Sequence, residues 1–198
     1  KKVGILLFDD VEILDFAGPF EVLSIAEAEP GGGNPFAVKT ISETGELVTG
    51  RNGLKIQPDY GFKDQVDFDI IIIPGGPGTY QIETQNDSVI GWIREQASKA
   101  EITASVCTGA FLLAKAGILK GKKATTHWRS LDRLGNEYPQ VLVQRGIKYV
   151  DEGSVITSAG ISAGIDMALY LVRKLVGNQV AVNTARRMEY TFDAGALK

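Results

Sequence analysis

Cys107, the single cysteine of this 198-residue chain, is the residue best suited by type to covalent chemistry. It follows the short run "ITASV" and precedes the apolar stretch "GAFLLAKAGIL", so the pattern predicts a tight turn between a strand and a helix. That position has the form of the nucleophile elbow of hydrolases, with a thiol in place of a hydroxyl. The positive end of the helix dipole favours the thiolate, which is the nucleophilic form. Free cysteines are also commonly inert and buried, so position alone leaves both interpretations open.

Three acidic residues are candidates for exchanging a proton with this thiol. Asp15, in "LDFAGP", stands where the N-cap of the following helix would lie, and the residue pattern alone favours capping. Glu21 is typical of an exposed or packing carboxylate on the same helix, and Asp166 falls within an apolar helical pattern that indicates a structural role. A carboxyl group close to the thiol would couple the two titrations, so that a nucleophile and a proton donor share one proton.

Short apolar runs predict the strands that hold these residues: "VGILLF", "DIIIIP", "ITASV" and "GSVITS". Such runs are typical of strands buried on both faces of a parallel sheet. Helical patterns alternate with them: "FEVLSIAEA", "SVIGWIREQASKA", "GAFLLAKAGIL" and "AGIDMALYLVRKLVG". This alternation predicts an α/β sandwich with a mostly parallel sheet. Gly160 and Gly164 indicate close helix approach, and Trp128 and Phe16 are expected in the core more than in a pocket wall.

Ligands of open α/β sheets bind beyond the carboxyl ends of the strands. Three segments lie at such ends: "LDFAGP", "PGGPGT" and "VCTGA". Elsewhere, "ISETGELVTGRNGLKIQPDY" predicts hairpins at a sheet edge. "EPGGGNP" predicts a surface turn, because it lacks the Gly-Lys-Ser/Thr ending of a phosphate loop.

Bulk composition limits the class of function. The length fits one domain over residues 1–198, and we find no repeat or linker that divides it. A net charge of −3 without a basic tract gives no reason to expect nucleic acid. The apolar runs fall short of the roughly 18 residues of a membrane span, and no secretory signal precedes the first strand. A lone cysteine predicts a cytoplasmic location, and a lone histidine argues against a histidine-based metal site, so no cofactor is expected.

Three motifs in a fixed order carry a resemblance over nearly the whole chain: "IIIIPGGPGT", "SVCTGAFLLAKAGILKGKKATTHW" and "VITSAGISAGIDMALYLV". Together they resemble the ThiJ/PfpI superfamily, which has the class I glutamine amidotransferase-like fold. The resemblance implies a flavodoxin-like α/β/α sandwich and a homodimer. "LLFDDVEILDFAGPFEVL" is similar to the isonitrile hydratase branch, whereas "TSAGISAGIDMALYLVRKLVG...ARRM" is similar to the ligand-sensing domains of AraC-type regulators.

This resemblance implies roles for individual residues. It matches Cys107 to the nucleophile of the superfamily and Asp15 to the acidic partner found in isonitrile hydratases, which favours catalysis by Asp15 over capping. Thr108 stands where proteolytic members have histidine, which puts peptidase activity in doubt. His127 matches a histidine that lines the cysteine pocket in relatives, although a packed structural ring is an equal alternative.

The implied reaction is the hydration of a small neutral molecule, best matched by an isonitrile. Cys107 would attack the terminal carbon, Asp15 would protonate it, and water would convert the thioimidate to an N-substituted formamide. Backbone N–H groups at Gly76 and Thr108, in a site also lined by Gly75 and His127, would stabilise developing charge.

Two other classes of function stay open at this point. One is a ligand-sensing domain without turnover, and the other is a redox-protective protein that acts through oxidation of the cysteine. Retention of both Cys107 and Asp15 favours the enzyme. We therefore expect strained backbone angles at Cys107 and the Asp15 carboxyl within hydrogen-bonding reach of its sulfur.

Overall fold

The predicted apolar strands form the centre of a seven-stranded sheet in the computed structural model, which describes residues 1–28 and 32–191. The strands are β1 (Lys2–Leu6), β2 (Ala37–Ser42), β3 (Val48–Thr49), β4 (Lys55–Ile56), β5 (Tyr60–Gly61), β6 (Ile70–Ile73), β7 (Ile102–Val106), β8 (Lys123–Ala124), β9 (Leu142–Val143), β10 (Tyr149–Asp151) and β11 (Val155–Ser158). The helices are α1 (Ile13–Ser24), α2 (Gly78–Gln85), α3 (Asp87–Lys99), α4 (Gly109–Lys115), α5 (Leu131–Glu137), α6 (Ala163–Leu175) and α7 (Asn178–Arg187).

The order of strands in the main sheet is β10-β11-β7-β6-β1-β2-β5. Neighbouring strands are parallel, except at the edge where β10 pairs antiparallel with β11. The strands β2, β1, β6, β7 and β11 follow the flavodoxin-like doubly wound order, which reverses between β1 and β6. The predicted α/β sandwich with a mostly parallel sheet is confirmed.

Burial on both faces explains the composition of the central strands. The four isoleucines of β6 are each 0% exposed, which accounts for a continuous apolar run in place of an alternating one. On either side, Gly4 of β1 pairs with Ile71, and Ala104 of β7 pairs with Ile72. Since these strands are parallel and in register, the segments that follow them emerge at the same edge of the sheet.

Helix α6 contacts both α1 and α7, and helices α2, α3 and α4 form a second group. Glycine allows α1 to approach α6, because a Cβ on Gly18 would lie 2.9 Å from Cγ1 of Ile165. A Cβ on Gly164 would lie 3.0 Å from Cγ1 of Val106, so the close approach predicted at this glycine is confirmed. Gly160 instead precedes α6, in the loop after β11.

Several boundaries differ from those that the sequence predicts. Helix α1 begins at Ile13, before the Gly-Pro pair, and therefore contains Pro19. Only β3 and β4 form a hairpin in the region predicted as hairpins, while β5 joins β2 in parallel at the edge of the main sheet. The turn "EPGGGNP" lies partly outside the described residues.

In the part of the chain that the structure describes, no helix is long and apolar enough to cross a membrane.

Candidate active site

The ends of β1, β6 and β7 bring three of the predicted segments together. Asp15 lies in the first turn of α1, Gly75 and Gly76 follow β6, and Cys107 follows β7. The Gly75 N–H donates to Oδ2 of Asp15 over 2.9 Å, and the Gly76 N–H donates to Oγ1 of Thr108 over 3.0 Å. These two bonds connect the segment after β6 to the segments on either side of it.

Cys107 occupies the predicted turn between β7 and α4, with φ at +56°. This left-handed conformation is uncommon for a residue other than glycine. The Cys107 N–H is shared between the carbonyls of Ser158 and Ala159, each at 3.2 Å, and its own carbonyl accepts a 2.7 Å bond from the Thr126 hydroxyl. Next to it, a Cβ on Gly109 would lie 2.1 Å from the carbonyl oxygen of Ile73. The turn is therefore held by bonds on both sides and by close backbone contact.

Asp15 is completely buried, at 0% exposure, and lies inside α1, whose N-cap is Glu12. The N-cap interpretation of Asp15 is therefore wrong, because α1 begins before the Gly-Pro pair. Its Oδ2 accepts the Gly75 bond, whereas its Oδ1 has no partner that satisfies hydrogen-bond geometry. The Cys107 thiol and the Ile161 N–H both interact with this carboxyl. An unsatisfied buried carboxyl oxygen beside a thiol is typical of a group that exchanges protons.

Burial is the largest cause of the pKa shifts of Asp15 and Cys107. Burial raises the pKa of Asp15 to about 7, against the lowering effect of the Gly75 hydrogen bond and with a further increase from the charge of Glu12. Burial and the Asp15 carboxylate raise the pKa of Cys107 to about 12, although the Thr108 N–H and hydroxyl oppose this. The expected stabilisation of the thiolate by the dipole of α4 is therefore outweighed by burial and by the Asp15 carboxylate. The pair therefore gains a single negative charge as the pH rises through 7.

Thr108 forms a small network of hydroxyl and backbone groups with the segment after β6. Its Oγ1 accepts the Gly76 N–H and the Thr79 hydroxyl at 3.1 Å, and the Thr79 hydroxyl also lies 2.7 Å from the Gly76 carbonyl. The N–H groups of Gly75 and Gly76 are thus occupied within the protein. Of the two backbone N–H groups predicted to stabilise developing charge, those of Gly76 and Thr108, only that of Thr108 interacts with the thiol itself.

Two neighbours of the pair were missed by sequence reasoning. Ile161 has φ at +57°, which is a pronounced outlier for a β-branched residue, and its N–H interacts with Asp15. Glu12 forms an ion pair with Arg51, and the Arg51 guanidinium also interacts electrostatically with Cys107. Charged side chains in "DDVE" and "GRNG" offer no periodic signal, so only the fold reveals that they meet beside the site.

Trp128 begins a short 3-10 turn that precedes α5, and His127 is the N-cap of that turn. The Nδ1 of His127 accepts the Arg129 N–H at 3.3 Å, and its ring packs on Gly160, where a Cβ would lie 2.3 Å from Cδ2. Burial and the Arg129 charge lower the pKa of His127, which keeps the ring neutral at pH 7. Trp128 is 68% exposed, so the expectation that it packs in the core is wrong.

The remaining candidates have structural positions. Glu21 is exposed, Phe16 is buried in the core, and Asp166 pairs with Lys148 at 2.9 Å while accepting the Tyr190 hydroxyl at 3.0 Å. Within residues 1–28 and 32–191, no group of three or more His, Cys, Asp and Glu side chains is arranged to hold a metal ion. Of the candidate residues, the structure brings Cys107 and Asp15 together at the edge of the sheet.

The sequence and structure match a known family. The pattern of the DJ-1/PfpI family matches residues 1–174. Isonitrile hydratase from Pseudomonas putida is 35% identical over 98% of this chain and 82% of that protein. The HTH-type transcriptional regulator GbdR from Pseudomonas aeruginosa (strain UCBPP-PA14) is 28% identical over 96% of this chain, which spans 51% of the regulator. A THiJ/PfpI family protein from Pseudomonas syringae has a TM-score of 0.85 at 26% identity, over 98% of this chain and 77% of that one. This chain belongs to the DJ-1/PfpI family.

Proposed function

We propose that this protein hydrates isonitriles to N-substituted formamides, with Cys107 as nucleophile and Asp15 as proton donor and acceptor. The observation that carries the proposal is the burial of the Asp15 carboxyl against the Cys107 thiol, which brings the pKa of the acid to about 7. A group whose pKa lies near the working pH is effective both as a proton donor and as a proton acceptor. The similarity to isonitrile hydratase supports the choice of substrate.

The reactive form of the pair carries one proton. Above pH 7 the carboxyl is ionised and the thiol is protonated, which is the major arrangement because the pKa of Cys107 is the higher of the two. Transfer of that proton to Asp15 gives the minor arrangement, a thiolate beside a carboxylic acid. The Thr108 N–H and hydroxyl, which lower the pKa of Cys107, stabilise the thiolate as it forms.

Addition to the substrate then proceeds with balanced atoms and charges. The Cys107 sulfur forms a bond to the terminal carbon of R–N≡C while Asp15 gives its proton to the same carbon, which yields the thioimidate R–N=CH–S. Water adds to that carbon, with its proton accepted by Asp15 and passed to nitrogen. The C–S bond of the resulting adduct breaks, the hydroxyl proton returns to sulfur, and R–NH–CHO leaves.

The backbone N–H groups of Gly75 and Gly76 donate to protein atoms, so they position the site and do not bind the substrate in this mechanism. Gly75 donates its N–H to Oδ2 of Asp15 and so fixes the carboxyl that interacts with the Cys107 thiol. Gly76 fixes the Thr108 hydroxyl. We therefore propose that Gly75 and Gly76 position the acid and the turn, and that Thr108 supplies the backbone donor next to sulfur.

The direct test measures formamide production from a panel of isonitriles. Cys107→Ala and Asp15→Asn should each reduce kcat by at least a thousandfold, and the double variant should be little worse than either, because the two groups act as one unit. Glu21→Gln is the matched control, since it removes an exposed carboxyl from the same helix. Normal turnover by Asp15→Asn would show that the acid lies elsewhere.

The regulator similarity favours one alternative, a ligand-sensing domain that binds without turnover. Saturable binding of an isonitrile or formamide by the wild-type protein with no product would support it. A redox-protective role has less physical support, because Cys107 is 6% exposed and its raised pKa keeps the thiol protonated. A homodimer and a cytoplasmic location stay predictions, which gel filtration with light scattering and cell fractionation would check.

A further inference from the structure

A cavity of about 570 Å³ lies beside the candidate active site. Its apolar wall is formed by Trp128, Leu131, Ile147 and Ile161. Small-molecule sites typically enclose about 300 to 1,000 Å³, and an isonitrile group by itself occupies only a small part of this space. The cavity therefore has room for a substituent much larger than the isonitrile group itself.

Residues that line the cavity also hold the catalytic pair. The Thr126 hydroxyl donates to the Cys107 carbonyl over 2.7 Å, the Ala159 carbonyl accepts the Cys107 N–H at 3.2 Å, and the Ile161 N–H interacts with Asp15. A molecule bound in the cavity would thus share a wall with the thiol and the acid.

Trp128 presents a large aromatic surface to this space. It is 68% exposed, whereas the chain's other tryptophan, Trp92, is 8% exposed and stacks on Phe62 with ring centroids 4.6 Å apart. The Trp128 ring is supported by the Arg129 guanidinium, 4.9 Å from its centroid, and by the His127 ring at 5.8 Å. An exposed aromatic ring held by its neighbours at the edge of a cavity is suited to contact an apolar ligand.

The charges around the cavity restrict what it accepts. Its lining includes Lys148 but neither aspartate nor glutamate, and the Arg129 guanidinium lies over the Trp128 ring. The Lys148 ammonium pairs with Asp166, which is not among the lining residues. A substituent with a positive charge would approach the Arg129 guanidinium and would find no carboxylate among the lining residues, since Asp166 already pairs with Lys148.

We propose that this cavity receives the substituent R of the isonitrile and selects bulky aromatic groups without positive charge, with Trp128 as the residue that determines specificity. This inference rests on the proposed function. Apolar contact with Trp128, Leu131 and Ile147 supplies the preference for size, and the nearby guanidinium supplies the exclusion of charge.

The first experiment compares kcat/KM for methyl isonitrile, 2-phenylethyl isonitrile and its ammonium analogue, which carries a protonated aminomethyl group on the ring. The wild type should prefer the phenylethyl over the methyl compound by at least tenfold, and over the ammonium analogue by a similar factor. Trp128→Ala should lower the phenylethyl-to-methyl ratio by about tenfold. Tyr80→Ala, which removes a similarly exposed ring outside the cavity, should keep the wild-type ratio. Equal ratios in the wild type and Trp128→Ala would overturn the assignment.

A binding experiment separates failure of this inference from failure of the proposed function. If no isonitrile is turned over, the hydratase proposal fails, and titration of Cys107→Ala with N-(2-phenylethyl)formamide then tests the cavity alone. Saturable quenching of the exposed Trp128, with buried Trp92 as an internal reference, would support it. Unchanged emission would overturn the inference. So would a blue shift that grows with protein concentration in the absence of ligand, because a second copy of the chain would then cover the ring.

Discussion

Asp15→Asn is expected to change how the stability of the protein depends on pH. The pKa of this carboxyl rises from 3.8 to about 7 on folding, mainly through burial. Between these values the folded protein keeps a proton that the unfolded chain has released. The folded state is therefore favoured most below the unfolded pKa, and the free energy of unfolding falls as the pH rises through 7.

The size of the effect follows from the same shift. One pKa unit corresponds to about 1.4 kcal/mol, so ionising Asp15 in the folded protein costs about 4 kcal/mol in full. Roughly 2.5 kcal/mol of this cost develops between about pH 5 and pH 8. Asparagine does not titrate, so the stability of Asp15→Asn relative to the wild type should increase by that amount across the interval. Solvent does not weaken the effect, because the carboxyl is 0% exposed.

Urea unfolding at intervals from pH 5 to pH 8 measures this difference directly. Taking the variant minus the wild type cancels the titrating groups that do not interact with Asp15, and unchanged m-values would show that the comparison is between similar states. Glu21→Gln serves as control, because it removes an exposed carboxyl from the same helix. Parallel curves for Asp15→Asn and the wild type would refute the claim that burial holds the proton on this acid.

Three further substitutions test the geometry of the site. Gly75→Ala should reduce turnover by about a hundredfold or more, because a Cβ there would lie 2.6 Å from the Thr108 nitrogen and 2.9 Å from Oδ2 of Asp15, and so displace the turn and the acid. Gly109→Ala should destabilise the fold by about 3 kcal/mol or more in thermal or urea unfolding, since its Cβ would lie 2.1 Å from the Ile73 carbonyl. Glu12→Gln removes a charge that raises the pKa of Asp15, so the midpoint of the pH–rate profile should move to lower pH; an unchanged midpoint would contradict this coupling.

The central sheet and the position of the cysteine could be predicted because their signals are local. Complete burial of β6 requires a continuous apolar sequence, and "DIIIIP" satisfies that requirement with no alternation. Likewise, Cys107 stands between a strand pattern and a helix pattern, which defines its turn without any tertiary information. The fold class and two of the segments that meet at the site follow from such runs.

Other features depend on contacts that no local pattern encodes. Helix α1 includes a Gly-Pro pair that normally indicates a boundary, yet Gly18 allows Ile165 to approach so closely that packing extends the helix across it. The thiol was expected to be acidic from its place before a helix, but burial and Asp15 outweigh that influence. Trp128 was expected in the core because of its residue type, and only the structure reveals that its ring remains exposed.

Activity and stability should respond in opposite directions to the loss of a single proton. Below pH 7 the Asp15 carboxyl and the Cys107 thiol are both protonated, which is the stable form of the buried pair but leaves no group to accept the thiol proton. Above pH 7 the pair holds one proton, which creates the reactive form and imposes the cost of a buried charge. The kcat/KM for hydration should therefore rise through the interval in which the free energy of unfolding falls. If kcat/KM instead fell above pH 7 while stability followed the expected course, Asp15 would act only as an acid beside an already ionised thiol. The pH profiles of kcat/KM and of the free energy of unfolding together thus show whether Asp15 and Cys107 share one proton or titrate independently.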